Sequence, residues 1–282
     1  MKMRLKLKKF DISSIPDNST IVLISRRNGG KTTCLKDIMY YHKDIPVGAV
    51  INPTEAANKS YGDLVPSLFI HEEYSPKLIS DLLTRQKMMT SRVQKELKLY
   101  GKPSVDPRAF LILDDCMYDN IWKKDKNMRY IFQNGRHQQL LCIITLQYVL
   151  GIPPELRCNV DYAFIFRDNN VGNRKRLYEN YGGIIPTFDM FCSIMDSVTT
   201  DGFGCLVVNN LSRSSKLEDC IFWFEAETHS EFNVGSKEFW QKHNECSLED
   251  TEEDAEEEYD PSVYAQKKNK NLPLLNIKKS YH

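Results

Sequence analysis

The most constraining stretch of this chain is residues 20–42. TIVLI (20–24) is a short apolar run, and it leads straight into Ser25-Arg-Arg-Asn-Gly-Gly-Lys-Thr32. A helical period follows at once, with Leu35, Ile38, Met39 and His42 recurring at i, i+3, i+4 and i+7. Two glycines here could close a β-hairpin, but nothing after them reads as an antiparallel strand. The order strand, glycine turn, helix instead matches the second half of the phosphate-loop pattern G-x-x-x-x-G-K-[ST], through Gly30, Lys31 and Thr32. Ser25 stands where that pattern begins with Gly. Glycines let backbone N–H groups curl around phosphates at the positive end of a helix. The expected nucleotide-binding set is Ser25, Arg26, Arg27, Asn28, Gly29, Gly30, Lys31, Thr32 and Thr33, with ATP and Mg²⁺ as cofactors. Lys31 would reach the β- and γ-phosphates, and the Thr32 hydroxyl would ligate Mg²⁺.

Further apolar runs at 47–51, 109–113, 140–145, 160–166 and 204–208 read as buried strands. Ser75-Pro76 opens a helix expected to run to Tyr100, with Leu78, Ile79, Leu82, Leu83, Met89, Val93 and Leu97 on its apolar face and a stop at Gly101. Buried strands alternating with helices predict an α/β fold with a parallel sheet covered on both faces.

Phe110-Leu-Ile-Leu-Asp-Asp115 is an apolar strand ending in two carboxylates. At the carboxyl edge of a parallel sheet such an end lies beside the phosphate loop. Asp114 is expected to hold Mg²⁺ through water, and Asp115 to polarise the attacking water. A guanine-specific N-K-x-D is absent, and Asp201-Gly-Phe-Gly204 spells D-x-x-G too late in the chain to count. LLCIIT ends in Thr145-Leu-Gln147, whose amide can meet the γ-phosphate or the water. Asn134-Gly-Arg-His137 follows an amphipathic segment carrying Met128, Ile131 and Phe132, and Arg136 at the domain edge is a candidate for stabilising transition-state charge in a neighbouring subunit. A surface arginine fits the same residues.

Composition matters for the partner. The chain of 282 residues has 38 Lys+Arg and 38 Asp+Glu, yet residues 245–260 hold ten acids and no Lys or Arg. The rest of the chain is therefore +10. Seven bases and two acids lie between Arg85 and Arg108. Of these, Arg92, Lys95, Lys98 and Lys102 are candidate DNA-binding residues, suited to sequence-independent phosphate contact. A solvated helix face fits equally. RDNNVGNRKR (167–176) is a second basic cluster. Residues 1–244 read as one P-loop ATPase domain and 245–282 as a disordered tail, acidic and then basic, with a short apolar LPLLNI. The tail could mimic DNA or simply keep the chain soluble. No apolar run reaches the roughly 18–20 residues of a membrane span, and the basic N-terminus lacks the apolar core of a secretory signal. Eight singly spaced cysteines without a C-x-x-C pair read as buried free thiols.

At these motifs the chain resembles the packaging ATPases of nucleocytoplasmic large DNA viruses, the poxvirus-type family within the FtsK/HerA superfamily of ring-forming DNA pumps. The matching pieces are SRRNGGKT, Asn52-Pro-Thr-Glu55 with Asn58 and Tyr61, FLILDDC, IFQNGRHQQLLCIITLQY, residues 156–166, the helix 173–181, FGCLVVNN and CIFWFEAE, together spanning about residues 10–228. Ser25 departs from the pattern, as does Asp115 where cellular members carry Glu. The resemblance implies a RecA-like (ASCE) P-loop NTPase, with a mostly parallel sheet sandwiched by helices in a single domain. It also implies Arg136 as inter-subunit finger with Arg157 as runner-up, and Gln147 as sensor. The implied assembly is a homo-oligomeric ring of five or six subunits that drives double-stranded DNA into a preformed capsid. The implied partner is a capsid or membrane-vertex protein, and the implied setting is the cytoplasmic virus factory or the virion. Two rivals fit the same residues: a cellular HerA-like pump, and an ATP-gated assembly scaffold without turnover.

Overall fold

The computed structural model describes residues 5–116, 121–200 and 203–242. In chain order the elements are β1 (Thr20–Ile24), α1 (Lys31–Tyr41), β2 (Gly48–Ile51), α2 (Glu55–Asn58), β3 (Ile70–His71), α3 (Pro76–Tyr100), β4 (Ala109–Leu113), α4 (Ile121–Lys124), α5 (Lys126–Asn134), β5 (Leu140–Leu146), α6 (Pro154–Arg157), β6 (Tyr162–Phe166), α7 (Val171–Tyr181), α8 (Phe188–Val198), β7 (Cys205–Asn209) and β8 (Ile221–Phe224). They form one sheet in the order β3-β2-β4-β5-β1-β6-β7-β8. β3 through β6 pair in parallel.

The sheet is not parallel throughout: β7 runs antiparallel to β6, and β8 to β7. The reason is the connection. Two helices, α7 and α8, follow β6 and return the chain to the edge it left, so Cys205 opens β7 opposite Phe166 at the end of β6.

Alternate strand residues serve opposite faces. Ile21, Leu23, Val50, Ile112, Ile143 and Phe164 pack with Leu35, Ile38 and Met39 of α1. Val22, Ile24, Ile51, Leu111, Ile144 and Ile165 pack with residues of α3, α5, α7 and α8. Burial on both faces explains why these strands are continuously apolar.

α3 has the expected ends, with Gly101 at φ 72° as its left-handed cap, although the Ser75 side chain makes no capping bond. Its apolar face is shorter than the sequence suggests. Ile79 and Leu83 are buried, but Leu97 is 47% exposed and Leu99 and Tyr100 more so. The last turns therefore stand clear of the body. Cys34, Cys116, Cys142, Cys205 and Cys220 are buried free thiols as read from the sequence, whereas Cys158 is exposed and Cys192 half-buried. No helix among the described residues is long and apolar enough to cross a membrane. The acidic block and LPLLNI lie outside the described residues.

Candidate functional site

β1 lies inside the sheet between β5 and β6, so its carboxyl end opens onto the crevice where connections leave in both directions. Residues 25–30 turn there into α1. Ser25 N–H donates to Leu146 O at 3.0 Å, tying the loop's start to the end of β5. Asn28 (φ 58°) and Gly30 (φ 91°) adopt left-handed backbone, which curls the loop before α1 begins. A Cβ on Gly29 would fall 1.8 Å from the Ser25 hydroxyl oxygen. Serine at the loop's first position thus occupies the space that glycine leaves at position 29, which accounts for the departure from the usual pattern. The Ser25 hydroxyl is buried with no hydrogen-bond partner among the described residues.

Lys31, the first residue of α1, is buried, and its Nζ donates to Ser25 O at 2.9 Å and Arg26 O at 3.0 Å. Burial lowers its pKa from the ordinary lysine value, while the Asp115 and Asp114 carboxylates act in the opposite sense. Thr32 and Thr33 follow, half-buried, while Arg26, Arg27 and Asn28 are exposed. Arg26 is paired with Asp168, just past β6, at 3.0 Å.

Two strands away, β4 delivers Asp114 and Asp115. Asp114 is buried. Its carboxylate accepts the Tyr61 hydroxyl at 2.7 Å and the Thr145 hydroxyl of β5. The same Thr145 oxygen accepts the Asp115 N–H at 3.0 Å. Asp115 has φ 53°, and its carboxylate accepts the Gln147 side-chain amide. Asp114, Asp115 and Gln147 are thus brought together within reach of Lys31.

Tyr61 comes from the segment after β2, which is folded around one carboxylate. Glu55 accepts from the Asn52 side chain at 2.8 Å and from the backbone N–H groups of Ser60, Tyr61 and Gly62 at 3.1, 2.8 and 3.0 Å. Burial, and then the Asp114 charge, pushes the Tyr61 phenol far above its ordinary pKa, so it stays a donor. Sequence reading assigned no role to Tyr61, Thr145 or Glu55. The available signal was a hydroxyl inside the otherwise apolar run LLCIITL, and an acid and a tyrosine in a loop with few apolar neighbours.

Hard oxygen donors suit Mg²⁺, which takes one or two carboxylates together with substrate phosphates and water. Each Asp114 oxygen accepts one hydrogen bond, so lone pairs remain for such a shell. Among the described residues no cluster of three or more His, Cys, Asp and Glu could form an all-protein cage. The donor set fits a metal held jointly with a nucleotide.

Arg136 is not part of this cluster. It lies in the turn before β5, at the opposite edge of the sheet, and pairs at 2.5 Å with Asp161. Asp161 also accepts the Thr20 N–H at 2.8 Å. Burial raises the pKa of Asp161, against the effect of those two donors. Arg157 lies in α6, which also leads into the amino end of β6.

The basic run 85–108 divides once folded. Arg92 is bonded to Glu96 at 2.7 Å, Arg108 to Asp17 and Asp106, Lys87 sits over the Tyr130 ring at 4.8 Å, and Arg85 donates to Gln86. Lys95, Lys98 and Lys102 are exposed near the projecting end of α3. In the second cluster, Arg174 is buried and bonded to Asp196 and Asp168 O, a structural role.

This sheet order, with a glycine-turned loop after its inner strand and acids at the end of the strand two places away, defines a P-loop NTPase fold. The chain superposes on the genome packaging NTPase B204 of Sulfolobus turreted icosahedral virus 2 in its AMP complex with a TM-score of 0.51 at 15% identity, covering 76% of this chain and 100% of that one. The AMPPCP complex of the same protein gives 0.50 at 16% identity. No family model matches the chain. It is 36% identical over 241 residues to the uncharacterized protein L437 of Acanthamoeba polyphaga mimivirus, covering 85% of this chain and 84% of that one. It is 34% identical over 234 residues to the uncharacterized protein 088R of Invertebrate iridescent virus 3, covering 79% and 85%. The chain belongs to the family that these proteins of nucleocytoplasmic large DNA viruses form.

Proposed function

We propose that this chain hydrolyses ATP to drive double-stranded DNA into a viral capsid, acting as a subunit of a homo-oligomeric ring. The observation that carries the proposal is the meeting of Asp114, Asp115 and Gln147 at the carboxyl edge beside Lys31 and its loop. Residues 25–33 would wrap the phosphates, with Lys31 leaving its loop carbonyls for the β- and γ-oxygens. Thr32 and Asp114 would hold Mg²⁺, which when bound neutralises charge across those phosphates. Asp115 would accept the proton of the attacking water, and Gln147, now seated on Asp115, would orient that water. Thr145 and Tyr61 hold Asp114 in place for this task.

The position of Arg136 supports action in trans. The five residues of β1 separate its edge from the phosphate loop, about 16 Å at ~3.3 Å per residue, too far for it to serve its own loop. Exposed Lys95, Lys98 and Lys102 are the DNA-facing candidates. A capsid or vertex partner, a motor domain over 1–244 and a separate tail over 245–282 complete the proposal.

The test is phosphate release from ATP with Mg²⁺, with and without duplex DNA, on wild type, Lys31→Ala and Asp115→Asn. DNA-stimulated turnover that both substitutions abolish is the expected result. Nucleotide binding without turnover in wild type would overturn the motor reading in favour of an assembly scaffold.

A further inference from the structure

Phe203 is a large aromatic side chain left 54% exposed, and it lies directly against the phosphate loop. A Cβ built on Gly30 would fall 2.9 Å from Phe203 Cβ and Cδ1. Gly30 is therefore glycine for two reasons: its φ of 91°, and the ring that approaches it. Nothing in the proposed hydrolytic site uses this ring.

The direction of a bound nucleotide follows from the sheet order. The acids that must meet the γ-phosphate stand at the end of β4, on the β5 side of β1. A nucleotide whose phosphates follow the loop towards those acids must carry its base to the other side of β1, towards β6 and β7. Phe203 precedes β7 on that side, two residues before Cys205. Cys205 packs in the same apolar cluster as α1, and the close approach to Gly30 puts Phe203 over the start of α1. An exposed aromatic ring beside the loop, on the side the base must take, can serve as a stacking platform; aromatic rings hold bases this way without reading their hydrogen-bonding edges.

We infer that Phe203 is the base-stacking residue of the nucleotide site. This rests on the loop being a nucleotide site, so the experiment separates the two ideas. Binding of ATP and of inorganic tripolyphosphate, which has the phosphates but no base, is measured by calorimetry on the full chain. The variants are Phe203→Ala, Phe203→Trp and Lys31→Ala. Phe203→Ala should weaken ATP about tenfold or more and leave tripolyphosphate unchanged. Phe203→Trp should keep ATP affinity, and its fluorescence should change with ATP but not with tripolyphosphate. Lys31→Ala should weaken both ligands. Equal weakening of ATP and tripolyphosphate by Phe203→Ala, tighter binding of both, or unchanged ATP affinity would each overturn the base-stacking role. If Lys31→Ala bound both ligands like wild type, the underlying site would fall instead.

Discussion

Thr145→Val tests the core of the site with the smallest change of shape. The hydroxyl donates to Asp114 and accepts from the Asp115 N–H at 3.0 Å, and the side chain is 1% exposed. Valine fills nearly the same volume and removes both bonds. A hydrogen bond to a charged group contributes about 1.5–3 kcal/mol, and an orphaned buried N–H costs about 1–3 kcal/mol. Asp115 is half-buried, so water can recover part of the second loss, and Asp114 keeps its bond from Tyr61. The expected destabilisation is about 2–4 kcal/mol, read from urea unfolding without nucleotide. Thr145→Ser keeps the hydroxyl and loses one methyl, so about 1 kcal/mol is expected. Tyr61→Phe removes the other donor to Asp114, and the double variant should lose about 1 kcal/mol more than the two single losses together, because Asp114 is then buried without a side-chain donor. A Thr145→Val protein within about 0.5 kcal/mol of wild type, or a serine variant as unstable as the valine one, would refute the reasoning.

Three other outcomes are expected. The Asp17 carboxyl is held down to about 2, first by its bond to His42 and then by Arg108, against the opposing effect of burial. Its folded pKa lies below the ordinary 3.8, so the unfolded chain binds the proton more tightly. This stabilisation is present above about pH 4 and lost towards about pH 2; Asp17→Asn should flatten that acid limb in pH-dependent thermal unfolding. Replacing Lys95, Lys98 and Lys102 by Ala should lower the slope of log affinity for duplex DNA against log salt by about 0.9 per lost phosphate contact; an unchanged slope would remove this end of α3 from the DNA surface. If Arg136 acts in trans, mixing Arg136→Ala with Lys31→Ala subunits should recover about a quarter of wild-type turnover, since each supplies what the other lacks; an inactive mixture would count against it.

Much of the fold was legible because it depends on local pattern. The strands at 20–24 and 109–113, the loop between β1 and α1, and the stop of α3 at Gly101 need only neighbouring residues to be recognised. β3 was not, since Ile70–His71 is two residues long and exists only through pairing with β2. Leu97 continues the helical period yet is exposed, because the period says which side of a helix is apolar and not how far the body beneath it extends. The loop, Asp114, Asp115 and Gln147 were visible as residues at strand ends. Tyr61 was not assigned a role, because a loop residue shows its task only when the opposite carboxylate, Asp114, is in place; Glu55 was not, because its closure onto the N–H groups of residues 60–62 follows no hydrophobic period. Of the seven bases between 85 and 108, four make contacts within the chain, and those partners could not be read from a charge count.

The sequence by itself determined that this chain alternates buried strands with helices, turns through glycines onto Lys31, and presents paired acids at a strand end. These follow from backbone conformation and burial over a few residues. Only the tertiary structure decided that β7 and β8 run antiparallel, that Thr145 and Tyr61 grip Asp114, that Arg136 rests on Asp161 across the sheet from the loop, and that Phe203 covers Gly30. Each of these joins groups distant in the chain, and crossovers and strand order, not local preference, bring such groups within hydrogen-bonding or van der Waals reach.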